Sequence, residues 1–154
     1  MELVQIENIL RYHSQEGFRN DLKMIFGRIS DLKERQTEIS AINYKVAIPN
    51  NHNNVSSVEI YVVRNATISE MEMEARELER FINKLDESID GLPENERTVL
   101  KARYFTKDGS VTPFENMAYD IHYSREWCTK LNQKALEDIN TALSGYKILW
   151  EALK

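Results

Sequence analysis

Along the first half of the chain, apolar positions recur at alternating intervals of four and three. Phe18, Leu22, Ile25, Ile29, Leu32 and Ile39 share one register, with Gln36 inside it. That spacing lines a single seam of an α-helix. A second run, Ile68, Met71, Ala75, Leu78, Ile82, Leu85, Ile89 and Leu92, keeps the same rule without a miss. The pattern therefore predicts two long amphipathic helices, neither able to hide its stripe alone. Between them, Ala47 to Ser57 holds Pro49 and the polar cluster Asn50, Asn51, His52, Asn53 and Asn54, the chemistry of a loop. An antiparallel helical hairpin, or pairing with a second subunit, would satisfy both stripes. Capping-box spacing at Ser56 with Glu59, and again at Thr67 with Glu70, gives two possible starts for the second helix. Val58 to Val63 is rich in β-branched residues, yet with no partner strand elsewhere it reads better as helix. Upstream, Leu3, Ile6 and Leu10 mark a short helix that Gly17 interrupts.

A boundary follows at Asp90-Gly91, where glycine can take a left-handed cap, with Pro93 suited to the first turn of a new helix. The expected organisation is a hairpin over 1–91 and a second unit over 92–154. In the second unit, one helix runs from Pro93 to Phe105 and a loop follows, from Thr106 to Val111, with the turn pair Asp108-Gly109. Thr112, Pro113 and Glu115 combine an N-cap, a first-turn proline and a capping carboxylate. The short helix they start places Phe114, Met117, Ala118 and Ile121 on its apolar face. Ser124 then caps a further helix, which turns Cys128, Leu131, Ala135 and Ile139 inward and leaves Arg125, Glu126, Thr129, Lys130, Gln133 and Lys134 outward. Two helices across a turn of about four residues have the layout of a helix-turn-helix. Small Ala118 would sit at their crossing. The outward side chains match nucleic-acid chemistry: Arg for guanine, Glu for the cytosine amino group, Gln for adenine, Lys for phosphate.

Composition agrees with an all-α chain, since among 154 residues only 5 are Gly and 3 Pro, too few turn formers for a many-stranded sandwich. The longest apolar run, Ile60 to Val63, is far short of the roughly 20 residues needed to span a bilayer. The N-terminus lacks the basic and apolar segments of a secretory signal, and the single Cys128 fits a reducing cytoplasm. Net charge is −5, carried by residues 1–91 with 11 basic and 16 acidic side chains, whereas residues 92–154 have 9 of each. A generally basic nucleic-acid binder is excluded, so any DNA contact is confined to one face of the neutral part.

Nothing points to catalysis. His13, His52 and His122 lie on unrelated segments without metal-ligand spacing and read as surface residues, while Cys128 reads as a small core residue. No glycine-rich loop could cradle a phosphate. The expectation is a non-enzymatic protein with no cofactor and no metal.

The residues Ser124-Arg125-Glu126, followed by Leu131 and then Lys134-Ala135-Leu136, resemble the second half of sigma-factor region four, which reads the upstream promoter element. Leu92-Pro93, Glu96-Arg97, Val99-Leu100 and Arg103-Tyr104-Phe105 resemble the helix preceding it. With its helical N-terminal part, the Arg103-Tyr104 pair and the Tyr123-Ser124 turn, the chain is similar to phage-encoded late transcription regulators of the ArpU and RinA type. The match covers residues 92–139. It implies a sigma-like helix-turn-helix, double-stranded promoter or operator DNA as partner, bacterial RNA polymerase as a second partner, and the cytoplasm of a bacterial host. It also implies that Arg125, Glu126, Thr129 and Lys130 meet the major groove. Trp127 departs from the pattern, since sigma factors carry a polar or basic residue there; it either stacks on sugar or a thymine methyl, or packs against the hairpin and blocks the groove. Two competitors share the layout: a polymerase-binding module using this surface on protein, and a DNA-packaging factor of the small-terminase kind. Beyond Ile139, the apolar positions Leu143, Tyr146, Trp150 and Leu153 continue at helical spacing. They predict a tail that folds back on the hairpin or joins a homodimer.

Overall fold

The computed structural model describes residues 1–45 and 57–146, with side chains described at 1–38 and 59–146. Among the described residues it contains six α-helices, a terminal 3-10 turn and no strand. They are α1 (Leu3–Ser14), α2 (Gly17–Lys45), α3 (Ser57–Asp90), α4 (Glu94–Tyr104), α5 (Phe114–Ile121) and α6 (Arg125–Ala142). No described helix is long and apolar enough to cross a membrane. The fold class is all-α, and Val58 to Val63 is helical as expected. The polar loop around Pro49 lies outside the described residues, as do Trp150 and Leu153.

By packing, the chain forms two compact units, one of residues 1–19 with 80–154 and one of residues 20–79. The helix break does fall at Gly91–Pro93, but packing does not follow it. In the first unit, α1 lies on α4 and α6, with Ile6, Ile9 and Leu10 fully buried. Polar bonds fix the same contact: Tyr104 Oη donates to Glu7 Oε1 at 2.8 Å, Asn132 Nδ2 donates to Tyr104 Oη at 3.3 Å, and Asn140 Nδ2 donates to the Met1 carbonyl at 2.8 Å. Phe81 on α3 meets Phe18 edge-on at 5.1 Å between centroids and Tyr146 at 5.7 Å. Thus Leu143, fully buried, and Tyr146 are satisfied within their own unit.

Several local expectations are corrected. Gly17 does not interrupt a helix but opens α2; the break lies before it, at Glu16 with φ 60°. A Cβ at Gly17 would stand 2.6 Å from the Tyr12 ring, so close approach explains the glycine. Gly91 follows α3 without the left-handed conformation, its N–H bonded to the Glu87 carbonyl at 2.9 Å. Pro93 and Pro113 occupy the N-cap positions of α4 and α5, so Thr112 does not cap α5. Thr112 is bound instead to Arg103, its N–H donating to the Arg103 carbonyl at 3.0 Å and its carbonyl accepting from Arg103 Nη1 at 2.8 Å. His13 is not a surface residue: it continues the α1 seam after Ile6, Ile9 and Leu10, is 3% exposed, and holds Nε2 2.7 Å from Asp86 Oδ1.

In the second unit, α2 and α3 lie side by side. Ile29, Ile68 and Ala75 are buried along the seam, with Leu22, Ile25, Leu32 and Met71 packed around them but only half-buried. Lys33 Nζ reaches Glu72 Oε1 at 2.9 Å, while Gln36 Nε2 donates to the Tyr61 carbonyl at 2.8 Å and to Asn65 Oδ1 at 3.1 Å. Rising numbers on one helix meet falling numbers on the other, so the pair is antiparallel. Gln36, only 7% exposed, keeps its place in an apolar seam because a carbonyl and a side-chain amide from α3 accept its two N–H groups.

Candidate nucleic-acid interface

α4, α5 and α6 meet around Val99, Met117, Cys128 and Leu131, with Ala102, Phe114, Ala118, Ile121 and Tyr123 packed against them. Every apolar position expected on the inner faces of α5 and α6 up to Leu131 is in this cluster. Burial pushes the Cys128 thiol above its ordinary range, which makes it a poor thiolate source and a good core residue. α5 ends at His122, whose φ of 59° and ψ of 31° reverse the chain in the left-handed region. Ser124 then caps α6, its Oγ accepting from the Trp127 N–H at 3.1 Å. The turn is three residues long, His122 to Ser124, against the four expected.

With Cys128, Leu131, Asn132, Ala135, Leu136 and Ile139 facing inward, all seven candidate side chains, Arg125, Glu126, Trp127, Thr129, Lys130, Gln133 and Lys134, are exposed on α6. Arg125, Glu126, Thr129 and Lys130 line one shallow depression of ≈ 350 Å³. Thr129 and Gln133 border another of ≈ 260 Å³, together with Leu3, Val4 and Glu7 of α1. The N-terminal helix thus stands beside the candidate face, a neighbour no local pattern announces.

The face is not a plain field of positive charge. Arg125 Nη1 lies 3.1 Å from Glu115 Oε1, both about two-thirds exposed, so the pair is weak and easily exchanged for another anion. Gln133 Nε2 donates to Glu137 at 3.1 Å. Lys134 Nζ stands 3.4 Å from Glu96 Oε1, a carboxylate only 1% exposed whose other oxygen has no hydrogen-bond partner. Trp127 on α6 is 45% exposed and Tyr119 on α5 is 84% exposed, so each helix carries an open aromatic ring.

Three supporting residues drew notice in the sequence through the sigma resemblance alone, with no structural role given to them. Arg103 carries its guanidinium 3.8 Å from the Phe114 ring centroid while donating to Thr112, which ties α4 to the start of α5. Tyr104 joins Glu7 to Asn132. Glu96 shares one helical seam with Val99, Leu100 and Arg103, and a carboxylate in an apolar seam was the available signal. Burial pushes the Glu96 carboxyl above its ordinary range, the Asp138 carboxyl adds to the shift, and Lys134 opposes it.

A raised folded-state value means that Glu96 binds its proton in the folded chain before the unfolded one. Its favourable contribution is complete below the unfolded value near 4.5 and is lost as pH rises through the folded value. Glu96→Gln does not titrate there. Its urea midpoint relative to wild type is therefore expected to be highest near pH ~8 and to fall toward pH ~5. A difference that stays flat with pH would contradict the assignment.

Compared with known protein families, with curated proteins and with solved structures, the chain matches none.

Proposed function

We propose that the chain is a sequence-specific DNA-binding transcription regulator, an activator of phage or prophage late genes of the ArpU and RinA type. In this reading α5, the turn and α6 are a sigma-like helix-turn-helix, α6 enters the major groove, and α2 with α3 forms a hairpin that assembles or positions it. The observation that carries the reading is the exposed row on a capped helix: Arg125, Glu126, Thr129, Lys130 and Gln133 point outward together, with donors and acceptors for base edges and phosphates. The resemblance of residues 92–139 to sigma region four supplies the role. It is a binding protein with no reaction assigned, working in the bacterial cytoplasm.

Changing Arg125 and Lys130 together to Ala removes one guanine-type donor and one phosphate-type cation from an exposed face, leaving the core untouched. Each good base contact is worth about 1–3 kcal/mol, so promoter affinity is expected to drop roughly tenfold or more with an unaltered melting temperature. Footprinting on DNA carrying the late promoters reads this directly. A double variant that protects the same DNA equally well would remove α6 from the groove.

A second reading has its own observation. Arg125 and Lys134 already face carboxylates, and Tyr119 and Trp127 are open aromatic surfaces, a composition suited to protein as well as DNA. Contact with RNA polymerase through this face would make the footprint depend on polymerase. The packaging alternative is separated by assembly, since a ring of many subunits belongs to packaging and a monomer or dimer to regulation.

A further inference from the structure

Two ion pairs join the candidate face of α6 to other helices, and burial makes them unlike. Glu115, the partner of Arg125, is about two-thirds exposed, so water takes over its charge when Arg125 turns to DNA. Glu96, the partner of Lys134, is 1% exposed. Its Oε1 lies 3.4 Å from Lys134 Nζ, its Oε2 has no hydrogen-bond partner, and Lys134 is the one cation paired with it among the described residues. Helices α1, α5 and α6 pack against α4. The charged groups that act on Glu96 from them are Lys134 and, one turn further along α6, Asp138. Lys84 and Glu87 of α3 line an open cleft of ≈ 400 Å³ together with Asp138. Arg97, next to Glu96 on α4, is turned away to the Asp90 carbonyl at 2.8 Å.

Lys134 is itself about two-thirds exposed, so its flexible stem can swing toward a phosphate. The charge it leaves behind cannot follow it into water. Taking one partner from a buried ion pair strands the other, and a stranded buried carboxylate neutralises rather than stay charged. We propose that Lys134 meets a DNA phosphate only as Glu96 takes up a proton from solvent, which makes DNA binding proton-linked through a residue that does not touch DNA. This rests on α6 being the DNA face. In the exchange the ammonium keeps its three protons and moves from carboxylate to phosphate. One proton passes from the buffer to a Glu96 oxygen, where the Asp138 carboxylate is at hand to accept a bond from it. Burial and Asp138 already push the Glu96 carboxyl up, and once Lys134 has left they act unopposed. DNA affinity then falls as pH rises, by about threefold to tenfold per pH unit for an uptake of about half to one proton.

Isothermal titration calorimetry of the intact chain with a short duplex of mixed sequence at low salt tests it. Repeated at neutral pH in buffers of different ionisation enthalpy, the titration counts the protons taken up. About half to one proton per bound chain is expected. Glu96→Gln and Lys134→Gln are each expected to lose the uptake, the first because nothing titrates there, the second because no cation leaves. Glu115→Gln is expected to keep it, since that pair is solvated. Duplex binding by the wild type without proton uptake would overturn the linkage while leaving α6 on DNA. So would an uptake that survives in Glu96→Gln or Lys134→Gln, or one that disappears in Glu115→Gln. A wild type that binds no duplex would overturn the reading of α6 itself, and the linkage with it.

Discussion

Leu10→Ala is expected to lower stability by about 2–5 kcal/mol, the range for emptying a closed apolar site of one Leu side chain. Leu10 is fully buried on α1, whose packing is against α4 and α6. The cavity cannot collapse easily, because α1 is tied to α4 and α6 through Glu7, Tyr104 and Asn132 and is pinned at its start by Asn140. The informative readout is where the loss appears. Amide exchange is expected to quicken in α4 and α6, which follow the mutation by more than eighty residues in sequence, since α1 shares their core. Were residues 1–91 and 92–154 independent in packing, α4 and α6 would keep their protection in the variant.

Ala118→Leu is expected to cost about 1–3 kcal/mol by overpacking. Ala118 packs against the cluster of Val99, Met117, Cys128 and Leu131 where α5 meets α6. Three added heavy atoms must push the two helices apart or drive a neighbour off its rotamer. The same displacement would re-aim α6, so DNA affinity is expected to fall along with the urea midpoint. An unaltered midpoint would place the crossing elsewhere.

How far the sequence could be read depended on the range of the interaction. Periodicity is a local property, and the seams of α2 and α3, the inner face of α5 and the Ser124 cap were all legible from it. So was the turn at Asp108-Gly109: Gly109 has φ 76°, and Asp108 Oδ1 accepts from the Ser110 N–H at 3.1 Å and from its hydroxyl at 2.6 Å. Those bonds hold the Asp108 carboxyl below its ordinary range. Caps that depend on backbone placement were misread, because Thr112 can satisfy Arg103 instead of its own helix. The partnership of α1 with α4 and α6 was illegible, since Glu7 and Tyr104 are ninety-seven residues apart and neither is unusual in its own segment. His13 could have been found, because it falls on the apolar seam of α1; what its sequence neighbours could not supply was Asp86. The candidate face itself was legible as a row of polar residues. Its electrostatics were not, because Glu96 and Glu115 reach it from other helices.

The claim at the centre of this account is that α6 reads base sequence. Selection of bound duplexes from a random DNA pool, using the intact chain at near-physiological salt and then repeated with Arg125→Ala, tests it most directly. Enrichment of one sequence by the wild type, with preference relaxed at a single base position in the variant, is the result predicted here. A pool that stays random with the wild type, or a preferred sequence that Arg125→Ala leaves unchanged at every position, would contradict it.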